Sequence, residues 1–238
     1  MDLSTHQVSG SDRTYYIPEF VNAEEEEYLI RKILETQQPK WRQLANRRLQ
    51  TWGGDLTPKN ILIPQPMPSI MTDYPDLIAR LKATTAFAGS PHGEPNHVIM
   101  NEYLPGQGIM PHQDGPAYHP VVATLSLGTH TVMHYYQYKS DEDRAIDPIP
   151  VLSFLLEPRS LVITTQALYE THLHGIDPVE EDSMEGVQLG NAEMIRGERE
   201  REAIEKGGVL ERGTRFSLTC RDVARVASVS TAKMFGRK

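Results

Sequence analysis

His112 and Asp114 stand one residue apart in the stretch N-E-Y-L-P-G-Q-G-I-M-P-H-Q-D-G, from Asn101 to Gly115. A histidine and an aspartate at that spacing can turn an imidazole and a carboxylate to the same side of a backbone. These are two of the three corners of a non-haem Fe(II) centre. Such a centre binds two histidines and one carboxylate on one face of the ion and leaves the opposite positions open to substrate oxygens, unlike the closed coordination of a structural zinc site. The chain holds nine histidines, so a single H-x-D pair gains weight only from what accompanies it.

Near the C-terminus, R-F-S-L-T-C-R alternates along Arg215 to Arg221. The period of two predicts a strand with Phe216, Leu218 and Cys220 on one face and Arg215, Ser217, Thr219 and Arg221 on the other. If the apolar face packs, two guanidinium groups separated by hydroxyls line whatever cavity the other face meets. A planar guanidinium fork donates two parallel hydrogen bonds to a carboxylate and stays charged, so this face suits a dicarboxylate. The same parity puts Asn101 and Tyr103 together, an amide and a phenol fit to bind an organic acid. Leu104-Pro105-Gly106 then turns the chain toward His112.

The third metal corner calls for a distant histidine. His119 is too close along the chain, and His130 and His134 flank a strand expected from about Thr131 to Tyr138. His172 and His174 lie two apart, and spacing alone leaves them tied. Gly175, which lets a backbone approach closely or turn sharply, favours His174 as the ligand and leaves His172 beside the site.

The pattern N-E-Y-L-P-G, then H-Q-D, H-G-I and R-F-S-L-T-C-R resembles the AlkB family of Fe(II)- and 2-oxoglutarate-dependent dioxygenases, from about Tyr15 to Val226. The resemblance implies iron ligands at His112, Asp114 and His174. It implies a 2-oxoglutarate site in which Arg215 holds the distal carboxylate with Asn101 and Tyr103, and Arg221 lies near the carboxylate that binds iron; Ser217 and Thr219 complete that strand face. Ser217 stands where the wider family has asparagine. The activity implied is oxidative demethylation of an alkylated base in DNA or RNA, with O2 and 2-oxoglutarate consumed. The alternatives are a protein side-chain hydroxylase or demethylase, and a catalytically idle metal-binding protein on the same scaffold.

These residues need a frame. A helix is predicted from Ala23 to Thr36, capped by Asn22 with Glu25 in the capping box, and a second from Met71 to Thr84. Short strands follow over 96–103, 121–127, 131–138, 151–156, 160–164, 169–174 and 214–222. Their number and spacing predict a mainly β chain with flanking helices, an α+β arrangement with a double-stranded β-helix or jelly-roll core. The domain reading is single: a flexible tail over 1–14, an N-terminal helical extension with a substrate lid over 15–95, the core over 96–226, and a tail over 227–238. Residues 177–208 form a charged insertion, either mobile or a loop carrying a solvated helix.

With 238 residues and 39% hydrophobic content, the chain can bury one core but not two comfortable domains. A lone cysteine, Cys220, excludes an intramolecular disulfide and fits a reducing compartment. No leader and no transmembrane stretch is evident, so the expected setting is soluble, in cytoplasm and nucleus, with no membrane partner. A net charge of −8 gives no general attraction to phosphates, so a nucleic-acid substrate requires a local basic patch. Lys40 to Arg48, K-W-R-Q-L-A-N-R-R, followed by Trp52, is the segment with interleaved arginines and tryptophans. Lys40, Arg47, Arg48 and Trp52, with Tyr74, are the expected lid residues.

Overall fold

The computed structural model describes residues 1–11, 13–37, 40–140 and 145–228. In chain order the elements are β1 (Tyr15–Ile17), α1 (Ala23–Leu34), β2 (Arg42–Leu44), β3 (Arg47–Trp52), β4 (Gly54–Leu56), β5 (Leu62–Pro64), α2 (Ser69–Thr72) and α3 (Leu77–Ala83). There follow β6 (His97–Tyr103), β7 (Ile109–His112), β8 (Tyr118–Leu127), β9 (Thr131–Tyr136), β10 (Leu152–Leu156), β11 (Leu161–Thr165) and α4 (Gln166–Glu170). The chain continues with β12 (Leu173–Ile176), β13 (Glu181–Ser183), α5 (Glu198–Lys206), β14 (Val209–Glu211) and β15 (Arg215–Val223).

Two antiparallel sheets make the core, one of seven strands in the order β1-β11-β8-β15-β6-β3-β2 and one of four in the order β10-β9-β12-β7. Alternation decides what each face of the larger sheet meets. Val98, Met100, Ala123, Leu125, Ile163, Phe216, Leu218 and Cys220 point to a buried cluster shared with Leu29 and Ile33 of α1, Met71 of α2 and Leu81 of α3. Residues of the opposite parity, among them Asn101, Tyr103, Thr124, Thr164 and the polar row of β15, line a cavity that the smaller sheet closes with Ile109, His112, Met133, Tyr135, His174 and Ile176. The helices therefore stiffen the sheet from behind. A one-residue slip of β15 would turn its polar row away and bring Phe216, Leu218 and Cys220 to the cavity, so burial of the apolar face fixes the polar one.

Helix α1 starts as predicted: Asn22 accepts from the Glu25 backbone, and the Glu25 side chain accepts from the Asn22 N–H. Leu29 and Ile33 are fully buried, each contributing about 2 kcal/mol. The second predicted helix is two helices, α2 and α3, because Pro75 falls between them and cannot continue a helical ladder. The strand predicted over 169–174 is likewise shorter. Gln166–Glu170 is helical, and only Leu173–Ile176 pairs with neighbours.

Residues 1–14, expected as a flexible tail, instead carry a 3-10 turn at Leu3–His6 and bury Val8 and Thr14 completely. Val8 has a place in the second apolar cluster beside Tyr16 and Leu156, which gives the segment a reason to stay down. The 177–208 segment carries the solvated helix, α5, and is anchored at Asp182 and Asn191. Arg212 forks onto the buried Asp182, and the Asn191 amide bridges the Leu155 backbone from both sides. The tail expected over 227–238 lies outside the described residues from 229 onward.

Candidate metal and co-substrate site

His112 ends β7 and His174 lies in β12, directly opposite it in the antiparallel register. Their rings are 4.4 Å apart between centres. Gly175 is what permits this: a Cβ there would sit 3.0 Å from the Pro111 nitrogen and 3.1 Å from the Ile109 carbonyl oxygen. The glycine thus admits the neighbouring strand. Asp114 follows β7 in a loop, and ligating atoms of His112, Asp114 and His174 all lie within 4.8 Å of one another. The His112 Nδ1 sits 2.9 Å from the Met110 carbonyl, a bond in which Nδ1–H donates and Nε2 is left to face the cavity.

The protonation states suit a metal. Burial, with His112 alongside, pushes His174 down to about 4, so its imidazole is neutral at physiological pH. Burial pulls the Asp114 carboxyl upward, but Arg221, His174 and His112 outweigh it and hold the group below the usual carboxylate range. Arg221 donates Nε–H to Oδ2 at 2.9 Å and Nη2–H to Oδ1 at 2.6 Å, orienting both oxygens of Asp114. Two imidazoles and an ionised carboxylate on one wall of a cavity are the donor set that Fe(II) takes with positions to spare.

Arg215, at the other end of β15, has a different environment. It is 3% exposed, donates from Nη2 to Ser126 Oγ at 2.9 Å, and its guanidinium carbon lies 5.7 Å from the Tyr103 ring centre. Among the described residues no carboxylate pairs with it, and its Nε–H has no partner. Burial pushes it down to about 10. Asn101, Tyr103, Ser217 and Thr219 line the same cavity of about 280 Å³.

Of the expected lid residues, only Arg47 lines this cavity, with its Nε–H donating to Asn101 Oδ1 at 3.0 Å. Arg48 pairs with Glu102 and lies over the Trp41 ring at 4.0 Å. Trp52 packs against the cluster behind the sheet, because its parity in β3 sends it there with Arg48 and Gln50. Lys40 is exposed and away from the cavity, and Tyr74 stacks edge-on to Tyr28. His172 bonds to Gln137 and Ala167 rather than to the cavity. Sequence reasoning missed Tyr118, Tyr135 and Tyr169 in the cavity wall; the parity of β8 and β9 would have flagged Tyr118 and Tyr135, whereas Tyr169 lay inside a mispredicted strand.

The sequence profile of the 2OG-Fe(II) oxygenase superfamily matches residues 13–221. A protein of Danio rerio named "Probable RNA/DNA demethylase ALKBH6" is 38% identical over 231 residues, covering 95% of this chain and 92% of its own. The chain belongs to the AlkB family of 2OG-Fe(II) oxygenases. Another relative, "Uncharacterized protein L905" of Acanthamoeba polyphaga mimivirus, is 30% identical over 177 residues, which is 73% of this chain and 77% of that one. The solved structure of OsALKBH1 superposes with a TM-score of 0.53 at 14% identity, covering 89% of this chain and 99% of that chain, a likeness of fold alone. An AlkB-family oxygenase is an oxidoreductase that uses Fe(II) and 2-oxoglutarate, and the His-Asp-His cluster is chemically fit for the first. No helix among the described residues is long and apolar enough to cross a membrane.

Proposed function

We propose that this AlkB-family oxygenase oxidatively demethylates an alkylated base in DNA or RNA. His112, Asp114 and His174 hold the iron, and Arg215 holds the distal carboxylate of 2-oxoglutarate. The observation that carries the site reading is the buried guanidinium of Arg215, paired with no carboxylate among the described residues, in the same cavity as the His-Asp-His cluster. A buried cation is costly without a partner, and a dicarboxylate bridging toward the metal supplies one. The substrate reading rests on the Danio rerio relative, whose name is that of an RNA/DNA demethylase.

When bound, Fe(II) with 2-oxoglutarate and oxygen supplies oxidation of a substrate C–H bond, coupled to decarboxylation of the oxo acid to succinate. The protein supplies position. Arg215, assisted by Asn101 and Tyr103, fixes the far end of the co-substrate, and Ser217 and Thr219 give a hydroxylic wall between the two arginines. Ser217, shorter than asparagine, leaves that wall with less reach. Arg221 keeps Asp114 ionised and aimed. Where the oxidised carbon is a methyl on nitrogen, the product loses formaldehyde and leaves the free amine.

Core residues 96–226 carry this chemistry, and the β2–β3 hairpin of the N-terminal extension serves as the lid, with Arg47 at the mouth. A base flipped or single-stranded would enter beneath it. The net charge of −8 favours a second reading, a protein side chain as substrate, because the phosphate attraction that drives nucleic-acid binding is not global here. One experiment separates them: mass spectrometry of methylated DNA, RNA and peptides incubated with protein, Fe(II) and 2-oxoglutarate. Loss of methyl mass from oligonucleotides, eliminated in His112→Ala, supports the proposal. Loss from peptides alone overturns it.

A further inference from the structure

Among the described residues, three side-chain donors in the cavity wall are buried without a partner: Arg215 Nε, Arg221 Nη1 and the Tyr169 hydroxyl. Buried polar groups are almost always satisfied, so donors left open in a cavity wall mark where a ligand's acceptors belong. Arg215 is accounted for by the distal carboxylate. The family resemblance puts Arg221 near the carboxylate that binds iron, which leaves the Tyr169 hydroxyl with no acceptor assigned to it.

Tyr169 comes from α4, the short helix between β11 and the strand that delivers His174. It lines the same cavity as Asp114, Arg221 and Tyr118. Both Asp114 oxygens receive hydrogen bonds from Arg221, and the metal would take a further lone pair of that carboxylate. What stays open is donor on both sides, an N–H of a guanidinium and the O–H of a phenol. Burial and the Asp114 carboxylate push that phenol up, so it stays protonated and donates. Two open donors beside a metal-binding carboxylate call for an oxygen-rich acceptor. The oxo-acid end of 2-oxoglutarate, which must lie beside the metal ligands, supplies one in its carboxylate.

We propose that Tyr169 is a co-substrate-binding residue whose hydroxyl, with Nη1 of Arg221, donates to the metal-side carboxylate of 2-oxoglutarate. The inference rests on the site reading above and adds a residue to it. The co-substrate is then gripped at both ends, by Arg215 far from the metal and by Tyr169 with Arg221 next to it. Because α4 leads directly into the strand bearing His174, filling the site also ties down the segment that presents that histidine.

The test is Tyr169→Phe, which keeps the ring and removes only the hydroxyl. Mn(II), which does not support turnover, is the probe metal, and 2-oxoglutarate is titrated by calorimetry, with thermal melts alongside. Removing a donor that lacks a partner relieves the ligand-free protein, so Tyr169→Phe melts at or above wild type without 2-oxoglutarate. With it, the variant binds about tenfold more weakly, and its melting temperature rises less than that of wild type. Wild-type binding with an unchanged affinity in Tyr169→Phe overturns the inference alone. Absence of 2-oxoglutarate binding in wild type overturns the site reading and takes the inference with it.

Discussion

Arg215 and Arg221 lie on one strand and one face, 3% and 5% exposed, yet they occupy opposite electrostatic situations. Arg221 is bracketed by Asp114, which with the bond between them outweighs burial and raises its pKa. Arg215 has a serine hydroxyl and an aromatic face but, among the described residues, no acid, and burial pushes it down to about 10. Fold stability and function separate along that line. A buried ion pair, once built, fails badly when one partner is removed, whereas a buried lone charge weakens the empty protein and is repaid only when its ligand arrives. Arg221 therefore serves the architecture of the metal corner first, with one N–H left for the co-substrate, whereas Arg215 serves the co-substrate alone.

The largest effect should come from breaking the pair. Arg221→Met leaves Asp114 buried without its cation and should cost about 3–5 kcal/mol in denaturant unfolding. Next, Arg215→Met should leave the melting temperature of the empty protein unchanged or raised, while weakening 2-oxoglutarate binding about a hundredfold in calorimetry. If both variants lose stability equally, the contrast between the two arginines is wrong.

A third outcome concerns pH. Burial, with Arg221 nearby, pushes His97 from 6.5 down to about 4. The unfolded chain therefore binds more protons in that window, so the stability due to neutral His97 is complete above about pH 6.5 and is lost as pH falls toward 4. Urea unfolding should show roughly 1–2 kcal/mol lost from this group between neutral and about pH 5, and His97→Gln should flatten that slope. The smallest effect is at Ser217, between the two arginines. Ser217→Asn adds an amide with longer reach and should tighten 2-oxoglutarate binding a few-fold in the same calorimetry.

Much of the site was legible because β-structure writes itself with a period of two. The residues of R-F-S-L-T-C-R sort onto two faces with no further information, and Asn101 and Tyr103 follow the same rule. What parity could not supply was contact between strands distant in sequence. That His174 sits opposite His112 depends on β7 pairing with β12, and β7 was not among the predicted strands. Trp52 shows the opposite failure. Its type suggested base stacking, but its parity in β3 sends it behind the sheet, where burial of a large ring outcompetes exposure at a lid. Residues 1–14 misled because a single buried valine, Val8, anchors a segment that composition marks as polar.

The most direct measurement is calorimetric titration of 2-oxoglutarate into the Mn(II)-loaded protein, wild type beside Arg215→Met and His174→Ala. The account predicts one saturable site in wild type, normal Mn(II) uptake with about a hundredfold weaker 2-oxoglutarate binding in Arg215→Met, and impaired Mn(II) uptake in His174→Ala. Equal 2-oxoglutarate affinity in wild type and Arg215→Met, or unimpaired metal uptake without the His174 imidazole, would contradict it.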